Sequence, residues 1–208
     1  MLLDLDGTLI NAFEPIIYAL NATLAELSLP QMTRDEIIRH TGRGECSMIS
    51  LFGDHREQAH QRFLQFHDER LFDIAALPGA ESLLTTLQQS AIPVAVVTSK
   101  GQARAEQQIA HLGWSTLLPV IVGLTPQRRQ KPDPHTLQIA CDTLDVAPDE
   151  AVMVGDGVAD MKAAVRIGSF PLGMTGGFDA DALIAAGASA TVANADQAWH
   201  WLAPHLAQ

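Results

Sequence analysis

From about residue 78 onward, short apolar runs of strand length alternate with helical stripes, and this alternation constrains the fold more than any other feature. Pro93-Val94-Ala95-Val96-Val97, Val120-Ile121-Val122 and Ala151-Val152-Met153-Val154 are short and rich in β-branched residues, as strands buried on both faces are. Between them, Ala80, Leu83, Leu84 and Leu87 repeat at helical spacing, and so do Leu137, Ala140, Cys141 and Leu144. Ala105, Ile109 and Leu112 mark another helix. Met161, Ala164 and Val165 precede Gly168, and the run Ala182 to Ala186 precedes Gly187, each glycine standing where a helix C-cap belongs. Strand–helix alternation predicts a parallel sheet with helices on both faces and right-handed crossovers. The fold class read from this pattern is α/β, a Rossmann-like parallel sheet.

Residues 12 to 77 break the rhythm. Phe13, Ile16, Ile17, Leu20, Leu24 and Leu27 form one long helical stripe. Thr33 and Glu36 have the spacing of a capping box opening a second helix at Ile37-Ile38. Residues 55 to 71 read as a third helix, and no strand signal lies between. The expected organisation is therefore a core of residues 1–11 and 78–208 with a helical domain, 12–77, inserted into it, the second boundary falling at Leu77-Pro78-Gly79.

Asp4 and Asp6, in Asp4-Leu5-Asp6-Gly7-Thr8, stand two residues apart at the end of the first apolar run. The C-terminal edge of an open α/β sheet is where ligands bind, and two like charges buried there call for a cation or a partner. The competing reading is a pair of turn-forming acids with Gly7 supplying a positive φ; an EF-hand loop fits less well, its glycine and closing glutamate being out of place. Gly155-Asp156-Gly157-Val158-Ala159-Asp160 again follows a strand, with Asp160 one helical turn beyond Asp156 so that both can face one spot. N-capping accounts for one of these acids readily and for two less well. Thr98-Ser99, ending the Val94 strand, offers hydroxyl and N–H donors to an anion. Lys131, in Lys131-Pro132-Asp133-Pro134, is either a solvated surface charge or a phosphate-facing cation in a stiff loop.

Asp-x-Asp-Gly-Thr, then Thr98-Ser99, then Lys131 before Pro-Asp-Pro, then Gly-Asp-x-x-x-Asp, in this order, resemble the four motifs of haloacid dehalogenase-type phosphatases. The resemblance covers nearly the whole chain and extends to the small helical cap and the Leu77-Pro78-Gly79-Ala80 return to the core. It is greatest with the branch of phosphoglycolate phosphatases, small-cap pyrophosphatases and β-phosphoglucomutase. It implies Asp4 as the nucleophile, forming an aspartyl phosphate, and Asp6 as the acid and then the base. It implies Mg2+ held by Asp4, the Asp6 backbone carbonyl and Asp156, with Asp160 behind them. Thr98, Ser99, Lys131 and donors near Gly7 would bind the phosphoryl oxygens. Two departures stand out. Family members carry several more apolar residues before the first aspartate, so the resemblance implies either a chain cut short at its N-terminus or a misassigned start codon, and Ser99-Lys100 replaces the common Asn-Lys.

Asp6 favours a phosphatase, since dehalogenases and phosphonatases of the superfamily lack this acid. A phosphosugar mutase is the alternative, but β-phosphoglucomutase-like sequences carry a histidine soon after the first motif and Ala12 to Leu20 contains none. A silent phosphometabolite-binding regulator would have no use for Asp6. The expected substrate is a small phosphorylated metabolite, phosphoglycolate first, with Arg43 in Thr41-Gly42-Arg43-Gly44 either the receptor for its carboxylate or an exposed loop residue. His40, His55, His60 and His67 lack metal-site spacing and are expected on the cap surface. A net charge of −11 gives nucleic acids and anionic membranes no basic surface to meet. Cys46 and Cys141, the two cysteines, predict neither a disulfide framework nor a zinc site. With no apolar run of spanning length and no leader-like start, the expected compartment is the cytoplasm.

Overall fold

The structure, a computed structural model, describes residues 1–41 and 50–206. Six strands lie in the order β5-β4-β1-β6-β7-β8, every neighbouring pair parallel. They are β1 (Leu2–Leu3), β4 (Ala95–Gly101), β5 (Val120–Leu124), β6 (Val152–Gly155), β7 (Phe170–Met174) and β8 (Ala190–Val192). A separate antiparallel ribbon joins β2 (Ile10–Asn11) to β3 (Ala75–Ala76). The α/β class holds.

The shortest sheet strand sits in its middle. Leu2 pairs with Ala95 and Met153, and Leu3 with Val96 and Val154. Because side chains alternate across a strand, these two leucines feed opposite cores. Leu3 joins Val96, Val154 and the apolar stripe of the helix Ala80–Gln89. Leu2 joins Ala95, Val97, Met153 and Leu137, Ala140 and Cys141 of the helix His135–Leu144. Both are fully buried, so two residues anchor both layers.

Several elements escaped the sequence pattern. β7 carries Pro171 and Gly173, which weaken any strand signal, yet both fit their places. Pro171 precedes the β8 ladder, which starts at Leu172 opposite Ala190, where a strand tolerates a missing N–H. A Cβ on Gly173 would lie 3.1 Å from Leu183 Cδ1, so close packing explains that glycine. Beyond the last of the expected helices, Ala75 and Ala76, exposed and with little strand propensity, pair with β2 as the chain returns beside its point of departure. The C-terminal helix Ala195–Leu206 completes the first core through Ala195, Ala198 and Leu202.

Between the two ribbon strands the described chain is helical. Helix α1 (Phe13–Glu26) packs on the helix Arg56–Glu69, and α2 (Arg34–Thr41) begins with the expected capping box, Thr33 N–H donating to Glu36 at 2.8 Å. Ile16, Leu20, Leu24, Ile37, Phe52 and Ala59 form an apolar cluster apart from the sheet. Arg104, on the helix Gln102–His111, forks onto Asp68 of the insert at 2.6 and 2.7 Å. Among the described residues no helix is long and apolar enough to cross a membrane.

If β1 is the common anchor, Leu3→Ala should cost about 2–5 kcal/mol in urea denaturation. Val165→Ala, at a half-exposed helix position, should change stability by only about 0.5 kcal/mol. Similar losses at both positions would contradict the placement of β1.

Candidate active site

Four chain segments deliver their functional side chains to one edge of the sheet, beyond the carboxyl ends of the strands. Asp4 follows β1, Thr98 lies in β4, Asp156 follows β6, and Lys131 sits in the loop after β5. Local backbone conformation makes room for the acids. Gly7 has φ +84°, and a Cβ there would lie 2.2 Å from Asp156 Oδ2; a Cβ on Gly177 would lie 2.6 Å from the same oxygen. The sequence pattern assigned Gly7 to phosphate binding. In the structure it lies off the cavity wall, where its missing side chain leaves space for Asp156.

Lys131 is only 2% exposed. Its ammonium donates to Asp4 Oδ1 at 2.9 Å and to the Val97 carbonyl at 2.7 Å, and it pairs with Asp160 Oδ1 at 2.5 Å. An ammonium has three donors, and all three are occupied. Lys131 is therefore no surface charge. It lies behind the acids rather than on the cavity wall, its donors turned to Asp4, Asp160 and the Val97 carbonyl. Burial alone would lower its pKa, but the Asp160 and Asp4 carboxylates more than offset that and hold it charged well above the ordinary range. Asp160 has both roles weighed for it: its Oδ2 accepts from Gly157 N–H at 2.9 Å at the helix start, while its Oδ1 faces Lys131.

Asp156 has no such ammonium. Its Oδ1 accepts from the Thr8 hydroxyl at 3.1 Å. Burial, then the Asp4 and Asp160 charges, hold its carboxyl well above the usual carboxylate range, and burial and Asp4 push Asp160 up to about 6. Oxygens of Asp4, Asp156 and Asp160 lie within 4.8 Å of one another. This is a hard-oxygen donor set, the kind a small divalent cation takes.

Asp6 points elsewhere, its Oδ1 accepting from Lys100 Nζ at 2.7 Å. Lys100 also donates to Gln108, a fully buried residue whose amide donates to Leu71 O at 2.7 Å. The sequence reading missed this chain. Lys100 follows Thr98 by two, and that parity was a usable hint, but nothing marks Gln108 as a buried relay. Asp4, Asp6, Thr98, Ser99, Lys100, Asp156 and Asp160 all line one cavity of about 110 Å³, several times the ~10–15 Å³ that one water requires. Arg43, Gly42 and Gly44, like Cys46, lie outside the described residues.

The histidine expectation needs correction in part. His55 is exposed, but His67 is 3% exposed and, with half-buried His60, lines the cavity. Burial and the Lys100 and Arg104 charges push the His67 pKa down to about 4, leaving the ring neutral near pH 7.

Acids, hydroxyl and lysine at successive strand ends match the resemblance in order and in space. The sequence model described as haloacid dehalogenase-like hydrolase matches residues 1–172. This chain belongs to the haloacid dehalogenase-like hydrolase family. Its relatives include a plasmid-borne phosphoglycolate phosphatase of Cupriavidus necator, 32% identical over 204 residues, covering 88% of this chain and 87% of that protein. Another is the validoxylamine A 7'-phosphate phosphatase of Streptomyces hygroscopicus subsp. limoneus, 34% identical over 199 residues and covering 88% of each. Among solved structures, a haloacid dehalogenase-like family hydrolase of Streptococcus pneumoniae superposes with a TM-score of 0.88 at 23% identity, over 97% of this chain and 96% of that one. The chain is a hydrolase of this family, and the Cupriavidus and Streptomyces relatives are phosphatases.

Carboxyls with raised pKa values bind more protons folded than unfolded, so stability of the cation-free protein should fall as pH rises from about 4 through about 6, the window of Asp160, with Asp156 acting in the same direction. A cation must displace those protons. Its stabilisation, read from thermal melts in 5 mM against zero magnesium (roughly 100 Kd would give ~2.7 kcal/mol), should be larger at pH 7 than at pH 5. Asp156→Asn should abolish that gain and raise the melting temperature of the cation-free protein at pH 7. An unchanged gain in the variant would remove Asp156 from the cation site.

Proposed function

We propose that this phosphatase hydrolyses a small phosphate monoester with magnesium as cofactor and Asp4 as the group that takes the phosphoryl. One observation carries the reading: Asp4 is held from behind by a fully committed ammonium, while Asp6, two residues on, is held apart from it by Lys100 at the same cavity. The two acids are thus available for different tasks. Asp4, Asp156 and the Asp6 backbone carbonyl would hold magnesium, with Asp160 fixing Lys131 beside them. When bound, the ion supplies positive charge against the phosphoryl oxygens.

With Asp4 Oδ1 occupied by Lys131, Oδ2 is left to attack. A bond forms between that oxygen and phosphorus as the bond to the leaving oxygen breaks, and Asp6 delivers a proton to that oxygen. In the second step Asp6 takes a proton from a water, whose oxygen bonds to phosphorus and releases Asp4. The Thr98 hydroxyl and the Ser99 N–H steady the equatorial oxygens. Phosphoryl transfer asks for little beyond such positioning and charge balance. Residues 1–11 and 78–208 supply this chemistry in our reading, and residues 12–77 act as the cap over it. The relatives' names nominate phosphoglycolate as the first substrate to try, and Arg43 is the residue the sequence offers for its carboxylate.

Asp6→Asn tests the division of labour. The amide oxygen still accepts from Lys100, but the proton relay is gone, a loss of about 10²- to 10⁴-fold for alkyl esters. An aryl phosphate, whose leaving group barely needs protonation, should still load Asp4, and the phosphoryl group should accumulate there, visible by mass spectrometry after rapid acid quenching. Unchanged turnover of both ester types would remove Asp6 from the proton relay.

A further inference from the structure

The cavity that holds the acids has a second wall of opposite character. Phe13 and Ile16 from α1, Phe52 from the 3-10 turn Ser50–His55, and Phe63 and Leu64 from the helix Arg56–Glu69 line it together with the carboxylates. Ile16 and Phe52 belong to the apolar cluster of the helical segment and Phe63 packs against it, but Phe63, Leu64 and Phe13 are only partly buried. Apolar side chains facing an open cavity forgo burial unless a ligand covers them.

The cations of the cavity point the same way. Lys100 lies 2.7 Å from Asp6, and Arg104 is forked onto Asp68 at 2.6 and 2.7 Å. Lys131, behind the wall, has its donors filled by Asp4, Asp160 and the Val97 carbonyl. His67 adds no positive charge near neutral pH. Among the described residues, a carboxylate on the leaving group would thus meet aromatic rings and cations already paired with acids, where an uncompensated charge is costly.

We propose that the leaving group selected by this site has an apolar body, an alkyl or aryl alcohol, in preference to one carrying a second anionic group. This rests on the phosphatase reading and narrows it to esters whose phosphate meets the acids while the carbon chain meets Phe13, Phe52, Phe63 and Leu64. It sets the lining of the cavity against the phosphoglycolate suggested by the relatives' names.

The test is kcat/KM for inorganic phosphate release from methyl, ethyl, n-propyl and n-butyl phosphate and from phosphoglycolate, with magnesium present. All have alkoxide leaving groups, so differences report the cavity wall. The parent enzyme should gain about three- to fourfold per methylene, as burial of each CH₂ gives, and should favour n-propyl phosphate over phosphoglycolate by at least about tenfold. Phe63→Ala should flatten the rise along the series, and Phe63→Leu should restore most of it. A flat or falling series in the parent enzyme, or phosphoglycolate outrunning n-propyl phosphate, would overturn the proposal without touching the phosphatase reading. Absence of phosphate release from every ester would sink the phosphatase reading, and the proposal with it.

Discussion

The buried ammonium of Lys131 is the interaction on which the site depends. It ties together four segments that are distant in sequence: Asp4 after β1, the Val97 carbonyl of β4, Asp160 on the helix after β6, and its own loop after β5. Removing one partner of a buried pair typically costs about 3–5 kcal/mol, because the remaining charge stays buried. The same ammonium leaves a deficit. Asp4, Asp156 and Asp160 are three carboxylates against one lysine, so two negative charges remain when all are ionised. A divalent cation would supply the missing two. Burial of this much like charge is justified by chemistry rather than by stability, and the glycines that admit Asp156 and Asp160 indicate how closely the backbone is shaped around it.

What the sequence made legible follows from how local each signal is. β4, β5 and β6 were visible as β-branched runs, β4 and β6 being largely buried and β5, at the sheet edge, partly so, and their first residues lie within two of the expected ones. β7, interrupted by Pro171 and Gly173, and the alanine strand β3 carry no propensity. Tertiary pairing makes them strands. The acids were legible because carboxylates in pairs at strand ends are costly without a purpose. Lys131 was legible as a residue of the site, but not as one with every donor taken. Its partners come from 34 and 127 residues away, and no local pattern encodes that. The Lys100–Gln108 chain and the burial of His67 were hidden for the same reason: a polar residue in a cap or helix reads as surface until the neighbouring element is known.

The helical segment gives the cavity its contrast. Charge and hydrogen bonds gather at the sheet edge, aromatic rings on the helical segment, and the Arg104–Asp68 fork spans the two. An exposed ion pair of this kind contributes little to stability. What it does is join the sheet side of the cavity to the helical segment. In the proposed reading the sheet edge carries the reaction and the helical segment the choice of ester.

In the proposed mechanism Asp4 is a nucleophile with one oxygen held by Lys131 and the other left to attack phosphorus. Beryllium trifluoride bonds to such a carboxylate oxygen as a tetrahedral stand-in for the phosphoryl group, and fluorine NMR reads the bound species directly, with no turnover required. Magnesium-dependent bound resonances are expected in the parent protein and in Asp6→Asn, and their loss in Asp4→Asn. Bound resonances that persist in Asp4→Asn, or that never form in the parent protein with magnesium present, would overturn Asp4 as the nucleophile.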